Sequence, residues 1–343
     1  MPAPPPGCDP ESIVLTFPVP KEHAGLRLDR FLQLRIPRLS RTRAQAIVKA
    51  CARWPDGRRR RASERVKEGE TVWIVRPPMD EPPTPRHYGI LYEDADVLVV
   101  DKPAGLPMHP TATYHRNTLS KLLERDFGAD DCPQFCHRLD RETSGVVICA
   151  KHATAEKALK TCFEKREVGK RYLAIARGRL ERERGRIEAP LGPAESGPHV
   201  LMAVREEGGL ACASEYHVRE RREGATLVEM HPETGRQHQL RVHLAHLGHP
   251  IVGDKLYGPE GHQPFIEAID EGLSPGLLRR LGHPRHALHA FRLEIAHPRT
   301  GALLRLEAPL PPDLEALWAA PGRVLAGEPV WSWGALLAGP DAE

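Results

Sequence analysis

Five prolines fall among the ten residues PPMDEPPTPR at 77–86. Proline lacks a backbone N–H and has a fixed φ, so this stretch neither continues a helix nor occupies the middle of a sheet. It reads as an extended linker and obliges the chain to fold as two bodies. The first is expected over 21–76, the linker over 77–87 and the second over 88–311. Residues 1–20, rich in proline and small side chains, are expected to be a flexible start, and 312–343 a loosely packed tail.

The two bodies differ in charge. The 343 residues sum to only +3, yet residues 21–79 carry 16 basic and 6 acidic side chains. A basic face attracts phosphate backbones, although a solvated surface without a partner has the same composition. In this body Leu28, Phe31, Leu32 and Leu34 predict one amphipathic helix. Ser40 predicts the N-cap of a second, striped by Ala44, Ile47 and Val48. Pro55-Asp56-Gly57 is a turn, and 71–75 is a strand. In the second body, strands are expected at 97–100, 146–150, 171–176, 226–230, 288–295 and 303–306, with a helix over 153–167. Residues 240–247 fit a strand or a helix. The class is α+β.

Several functions lack their parts. Mean hydropathy is −0.44, and no apolar run reaches the ~18 residues of a membrane span. The start, MPAPPPGCDP, has neither the basic nor the apolar region of a secretory signal. Seven scattered cysteines suit a reducing cytoplasm better than a disulfide framework. There is no GxGxxG, G-x-S-x-G or HExxH. His243 and His246 lie three apart, as do His283, His286 and His289, but no carboxylate or cysteine completes a ligand spacing, so no metal is expected.

Two segments carry chemistry. In HRLDRETSG at 137–145, Asp140 is flanked by Arg138 and Arg141 and opens onto an apolar strand. Cationic neighbours would hold this carboxylate ionised, as a nucleophile or base requires, but on these residues alone an ion-pair network at a strand start is the better reading. Glu142 is the nearest second carboxylate for a glycosidase-like pair. In TGRQHQLRVHLAHLGHPIVGDKLYG at 234–258, Arg241 can partner a buried carboxylate.

Together with DKPAGLPMHP at 101–110, KRYLA at 170–174, RHALHA at 285–290 and HPRTG at 297–301, these segments closely resemble the RluA-type pseudouridine synthases. GLRLDRFL at 25–32 and SRTRAQ at 40–45 resemble the small RNA-binding domain of a ribosomal small-subunit protein, with Trp54-Pro55-Asp56-Gly57 in place of its usual turn. The resemblance implies a largely antiparallel mixed sheet preceded by a small α/β RNA-binding domain. It also implies isomerisation of uridine in RNA to pseudouridine without a cofactor. By the same resemblance Asp140 is the essential carboxylate, attacking covalently or removing a sugar proton. Arg241 pairs with it, Tyr172 stacks on the base, Leu240 walls the base and Arg138 helps extrude the nucleotide. Lys102 and His109, in the first motif, are expected to be scaffold. The implied partner is RNA, ribosomal large-subunit RNA first and transfer RNA second. A monomer in the cytoplasm is expected. An RNA-binding platform without activity is the competing class.

Overall fold

The computed structural model describes residues 2–36, 39–78, 81–111 and 113–327. Two units separate between residues 80 and 81. The first contains β1 (Ile13–Pro18), α1 (Leu28–Arg35), α2 (Arg41–Cys51), β2 (Ala52–Arg53) and β3 (Thr71–Arg76). Its antiparallel sheet runs β1-β3-β2. The expected flexible start therefore fails at Ile13–Pro18, which pairs along its whole length with β3. The run Ile13-Val14-Leu15-Thr16-Phe17 is rich in β-branched and aromatic residues, and this local preference overrides the prolines before it. Ser40 caps α2, its Oγ accepting the Arg43 N–H at 3.2 Å. Leu28, Phe31 and Leu32 from α1 meet Val48, Val72 and Ile74 in the core. Arg60 is buried between Glu64 and Glu70 with its guanidinium 3.9 Å from the Trp54 ring centre, whereas Arg59 and Arg61 are exposed.

The second unit begins with β4 (Gly89–Glu93), β5 (Val97–Lys102), α3 (Leu119–Phe127), β6 (Gln134–Phe135), β7 (Ser144–Ala150) and α4 (Ala153–Glu164). Next come β8 (Gly169–Arg177), β9 (Arg184–Glu188), β10 (Leu191–Pro193), β11 (Met202–Val204), β12 (Ala213–Arg222) and β13 (Ala225–Pro232). It closes with α5 (Gln239–His246), α6 (Gln263–Asp270), α7 (Pro275–Leu281), β14 (Leu288–Ala296), β15 (Leu303–Glu307), α8 (Pro312–Ala319) and α9 (Pro321–Leu325). The main sheet runs β4-β5-β7-β14-β8-β13-β12-β9, with β15 on β14 and β6 on β7. Among the described residues its pairs are antiparallel except β7 with β14.

Every residue of β7 is buried, because both sheet faces are covered. Val146, Ile148 and Ala150 enter the cluster lined by Ala155 and Leu159 of α4. Val147 and Cys149 enter the opposite one, lined by Leu119, Leu122 and Leu123 of α3. The period of two thus sends alternate side chains to two cores, which is why this strand reads as a continuous apolar run. At its start Gly145 has φ +114°, and a Cβ there would lie 2.2 Å from the Ala290 carbonyl oxygen. Only glycine allows this close approach of β7 to β14.

The expected loose tail is also overturned for its first part. Leu314, Leu317 and Trp318 of α8 and Val324 of α9 are buried in the cluster beneath β8 and β13. Their i, i+3, i+4 spacing after Pro312 is that of a helix with one apolar stripe. Residues 328–343 of the expected tail lie outside the described residues.

Leu317→Ala should lower stability by about 2–5 kcal/mol, the range for emptying a buried leucine site. Leu303→Ala, at a position 57% exposed, should stay within about 0.5 kcal/mol. Urea midpoints check both, and equal midpoints would mean that α8 is not part of the core.

Candidate active site

The main sheet brings three segments to one cleft of about 200 Å³. The 138–143 loop enters β7 and supplies Arg138 and Asp140, β8 supplies Tyr172, and α5 supplies Leu240 and Arg241. All five expected site residues line this cleft. Arg138, Leu139 and Asp140 all line it from the loop ahead of β7.

Arg241 is almost fully buried and Asp140 only partly so. Arg241 Nη1 donates to Asp140 Oδ2 at 3.1 Å. Its Nε and Nη2 donate to Asp254 Oδ2 and Oδ1 at 2.7 and 2.8 Å. Burial by itself would raise the Asp254 carboxyl, but Arg241 overcomes it and holds the group at about 2. The backbone N–H groups of Leu256 and Tyr257 also donate to Asp254. One guanidinium therefore bridges two carboxylates, one sealed and one facing the cleft.

Helix α5 begins without a side-chain cap. Gln239 fixes its entry instead. Its carbonyl accepts from Thr234 Oγ1 and the Arg236 N–H, and its amide donates to the Ala213 carbonyl and Ser214 Oγ, all at 2.7 to 3.0 Å. The 138–143 loop is fixed from below. Lys102 is fully buried, and Nζ donates to the carbonyls of Pro103, Leu106 and Arg141 at 2.9 to 3.0 Å. Burial pulls its ammonium down to about 7. Thr143 Oγ1 and Ser144 Oγ lie 2.8 and 3.0 Å from the rings of His286 and His289. His109 packs edge-on against Phe135.

The Tyr172 hydroxyl is raised well above its usual range, by burial first and then by the Asp140 charge. The phenol is therefore protonated at neutral pH. Leu240 gives the cleft an apolar wall. Arg138 is exposed and forms no hydrogen bond or ion pair among the described residues.

A model of the RNA pseudouridylate synthase family matches residues 96–246. A ribosomal large subunit pseudouridine synthase D from Xanthomonas campestris pv. campestris is 39% identical over 309 residues, covering 88% of this chain and 91% of that protein. The chain belongs to the RNA pseudouridine synthase family. A protein of the same name from Nitrosomonas europaea is 34% identical, covering 88% of this chain and 86% of its own. The solved structure of human RNA pseudouridylate synthase domain containing 1 is 30% identical, spans 68% of this chain and 89% of that one, and has a TM-score of 0.53. This pseudouridine synthase is an isomerase acting on uridine in RNA. Among the described residues no helix is long and apolar enough to cross a membrane.

Two residues beside Asp140 in this synthase are engaged elsewhere. Arg141 does not hold Asp140. It turns away, pairing with Glu142 at 2.9 Å and bonding the Tyr114 hydroxyl. Glu142 cannot serve as a second, proton-donating carboxylate. Burial would raise it, but Lys255 and Arg141 hold it at about 2, and Lys255 Nζ lies 3.0 Å from both of its oxygens. Most of the spaced histidines are engaged within the protein. His243 meets Ser214 and the Ala189 carbonyl, and His283 meets the Arg285 carbonyl. Asp94, Asp96 and His297 have ligand atoms within 4.8 Å of one another, but Asp96 is already paired with Arg299 and in contact with the His152 ring. The sequence reading missed Asp254 and His238. An Asp-Lys pair set among Ile251, Val252 and Leu256 was the available signal for the first.

Glu142→Gln should cost about 3–5 kcal/mol, because it leaves the Lys255 ammonium buried opposite a neutral amide. A carboxyl depressed in the fold stabilises above its unfolded value. The contribution is complete above pH 4.5 and is lost as pH falls through about 2. Thermal unfolding of both proteins across pH 2 to 7 checks this. The difference between them should shrink on the acid side, and a constant difference would dismiss the pair.

Proposed function

We propose that the enzyme isomerises particular uridines of large-subunit ribosomal RNA, with Asp140 as the essential carboxylate. The single observation that carries the assignment is Asp140 paired with the buried Arg241 in the cleft that Tyr172 and Leu240 also line. The names of the bacterial relatives support the RNA class, and transfer RNA is the second substrate to be tested. Those relatives also favour a cytoplasmic enzyme. The site is complete within one chain, which favours a monomer.

The N1–C1′ bond breaks with its electron pair leaving on uracil. The base turns, C5 bonds to C1′, the C5 proton departs and N1 gains one. Composition and oxidation state are unchanged, so no external oxidant or energy source is needed. Asp140 either attacks the nucleotide covalently or takes a sugar proton, and on both routes the hydrogen bond from Arg241 Nη1 fixes the direction of the carboxylate. Tyr172 stacks on the base, and its hydroxyl helps remove the C5 proton. Leu240 packs against the base. Arg138, uncommitted at the cleft, offsets part of the few kcal/mol needed to extrude the nucleotide. The basic first unit grips the RNA backbone through exposed arginines such as Arg59 and Arg61.

Asp140→Asn should abolish pseudouridine formation on large-subunit RNA while RNA binding survives. Nucleoside analysis after incubation reads the outcome, and activity in the purified variant would refute the assignment. Product on transfer RNA alone would move the substrate. Tyr172→Phe should slow a single turnover about 10²- to 10⁴-fold without loss of binding. Arg59→Ala with Arg61→Ala should flatten the log–log salt dependence of RNA affinity by about 0.7 to 0.9 per lost phosphate contact. An unchanged slope would remove the first unit's role as a clamp.

A further inference from the structure

His238 is one of two described residues other than glycine with positive φ, the other being Arg166. Its backbone is left-handed, φ 55° and ψ 16°, immediately before α5. Such a conformation is costly for a residue with a Cβ and is kept where the surroundings enforce it. Here it accompanies a ring that lines the cleft beside Asp140. Nδ1 lies 2.7 Å from the Tyr257 hydroxyl. That oxygen already accepts the Met202 N–H at 3.0 Å, and its own hydrogen is free for Nδ1. A Tyr257 O–H donated to Nδ1 leaves the ring proton on Nε2. Nε2 stands 3.8 Å from Asp140 Oδ2, too far for a hydrogen bond between them. Burial and Arg241 keep the imidazole neutral, at about 4.

The chemistry calls for a donor at this point. When the N1–C1′ bond breaks, negative charge develops on the uracil ring next to an anionic Asp140. Arg241 turns Nε and Nη2 to Asp254 and Nη1 to Asp140, so its single charge is already shared by two carboxylates. A fixed neutral N–H at the cleft stabilises developing charge without first reorganising.

We infer that His238 touches the target nucleotide, its Nε2–H donating to an oxygen flanking C1′, with Tyr257 setting the tautomer. The oxygen is either the uracil O2 carbonyl or the ribose 2′-hydroxyl. This rests on Asp140 being the reacting carboxylate.

The test uses the full chain and an RNA fragment on which the unaltered enzyme makes pseudouridine, so the parent assignment is checked in the same reaction. If the unaltered enzyme makes none, the assignment of the reaction falls and this inference falls with it. His238→Phe should cut the single-turnover rate at saturating enzyme about 100-fold, the size of losing one donor to a developing anion, with RNA affinity changed less than threefold. His238→Gln, whose amide N–H reaches a similar position, should recover part of that rate. Tyr257→Phe should lose about tenfold. If His238→Phe does not fold, His238→Gln and Tyr257→Phe decide. Rates for these variants within threefold of the unaltered enzyme overturn the inference, as does a loss that appears only in affinity. A fragment with 2′-deoxyuridine at the target separates the two oxygens. If the variant costs nothing further on it, the 2′-hydroxyl is the acceptor, and if the 100-fold loss persists, the carbonyl is.

Discussion

Arg241 carries one positive charge and has two carboxylates to satisfy. A buried guanidinium facing Asp254 alone would be paired but catalytically idle, and one facing Asp140 alone would be free to rotate. With Nε and Nη2 forked onto Asp254, Nη1 is left in a fixed direction, and Asp140 lies along it. The planar fork makes this possible, and a lysine at the same place would supply charge without direction. The interaction also ties α5 to the loop ahead of β7, so the site's electrostatics and its architecture are the same contact.

A second buried network supports the first. Arg285 forks onto Asp313 of α8 and donates from Nη1 to the Glu142 carbonyl at 3.2 Å. Glu142 in turn receives Lys255, the neighbour of Asp254. Ion pairs of this kind add little net stability over apolar packing but penalise any arrangement that leaves one member alone. They connect α8, the 283–287 segment, the 254–255 turn and the 138–143 loop. The segment expected to be a loose tail thus buttresses the site.

Much of the fold was legible where one period dominated. The strand at 146–150, the α4 helix and the Ser40 cap follow from alternation, helical spacing and a capping hydroxyl. Residues 240–247 were ambiguous because α5 is buried on most sides and so shows no polar face. Composition misled at both ends, where proline content hid a strand at 13–18 and a striped helix at 312–319. At the site, the resemblance named Asp140, Tyr172 and Arg241, and the structure gathers them. It could not reveal Asp254 or His238, whose importance lies in which groups they face across the fold. Adjacency alone offered Arg141 to Asp140, but the turn at 140–143 sends that side chain to Glu142 and Tyr114, a structural place.

Strand β14 lies between β7 and β8 in the sheet, although it follows both by more than a hundred residues in the chain. The loop bearing Asp140 and the strand bearing Tyr172 therefore acquire their spacing only when a late segment inserts between them. During synthesis, nearly the whole polypeptide must emerge before the carboxylate and the phenol have fixed positions. A nascent fragment that already contains both side chains remains chemically silent, and the enzyme's activity is in effect a proof that its last third has been made.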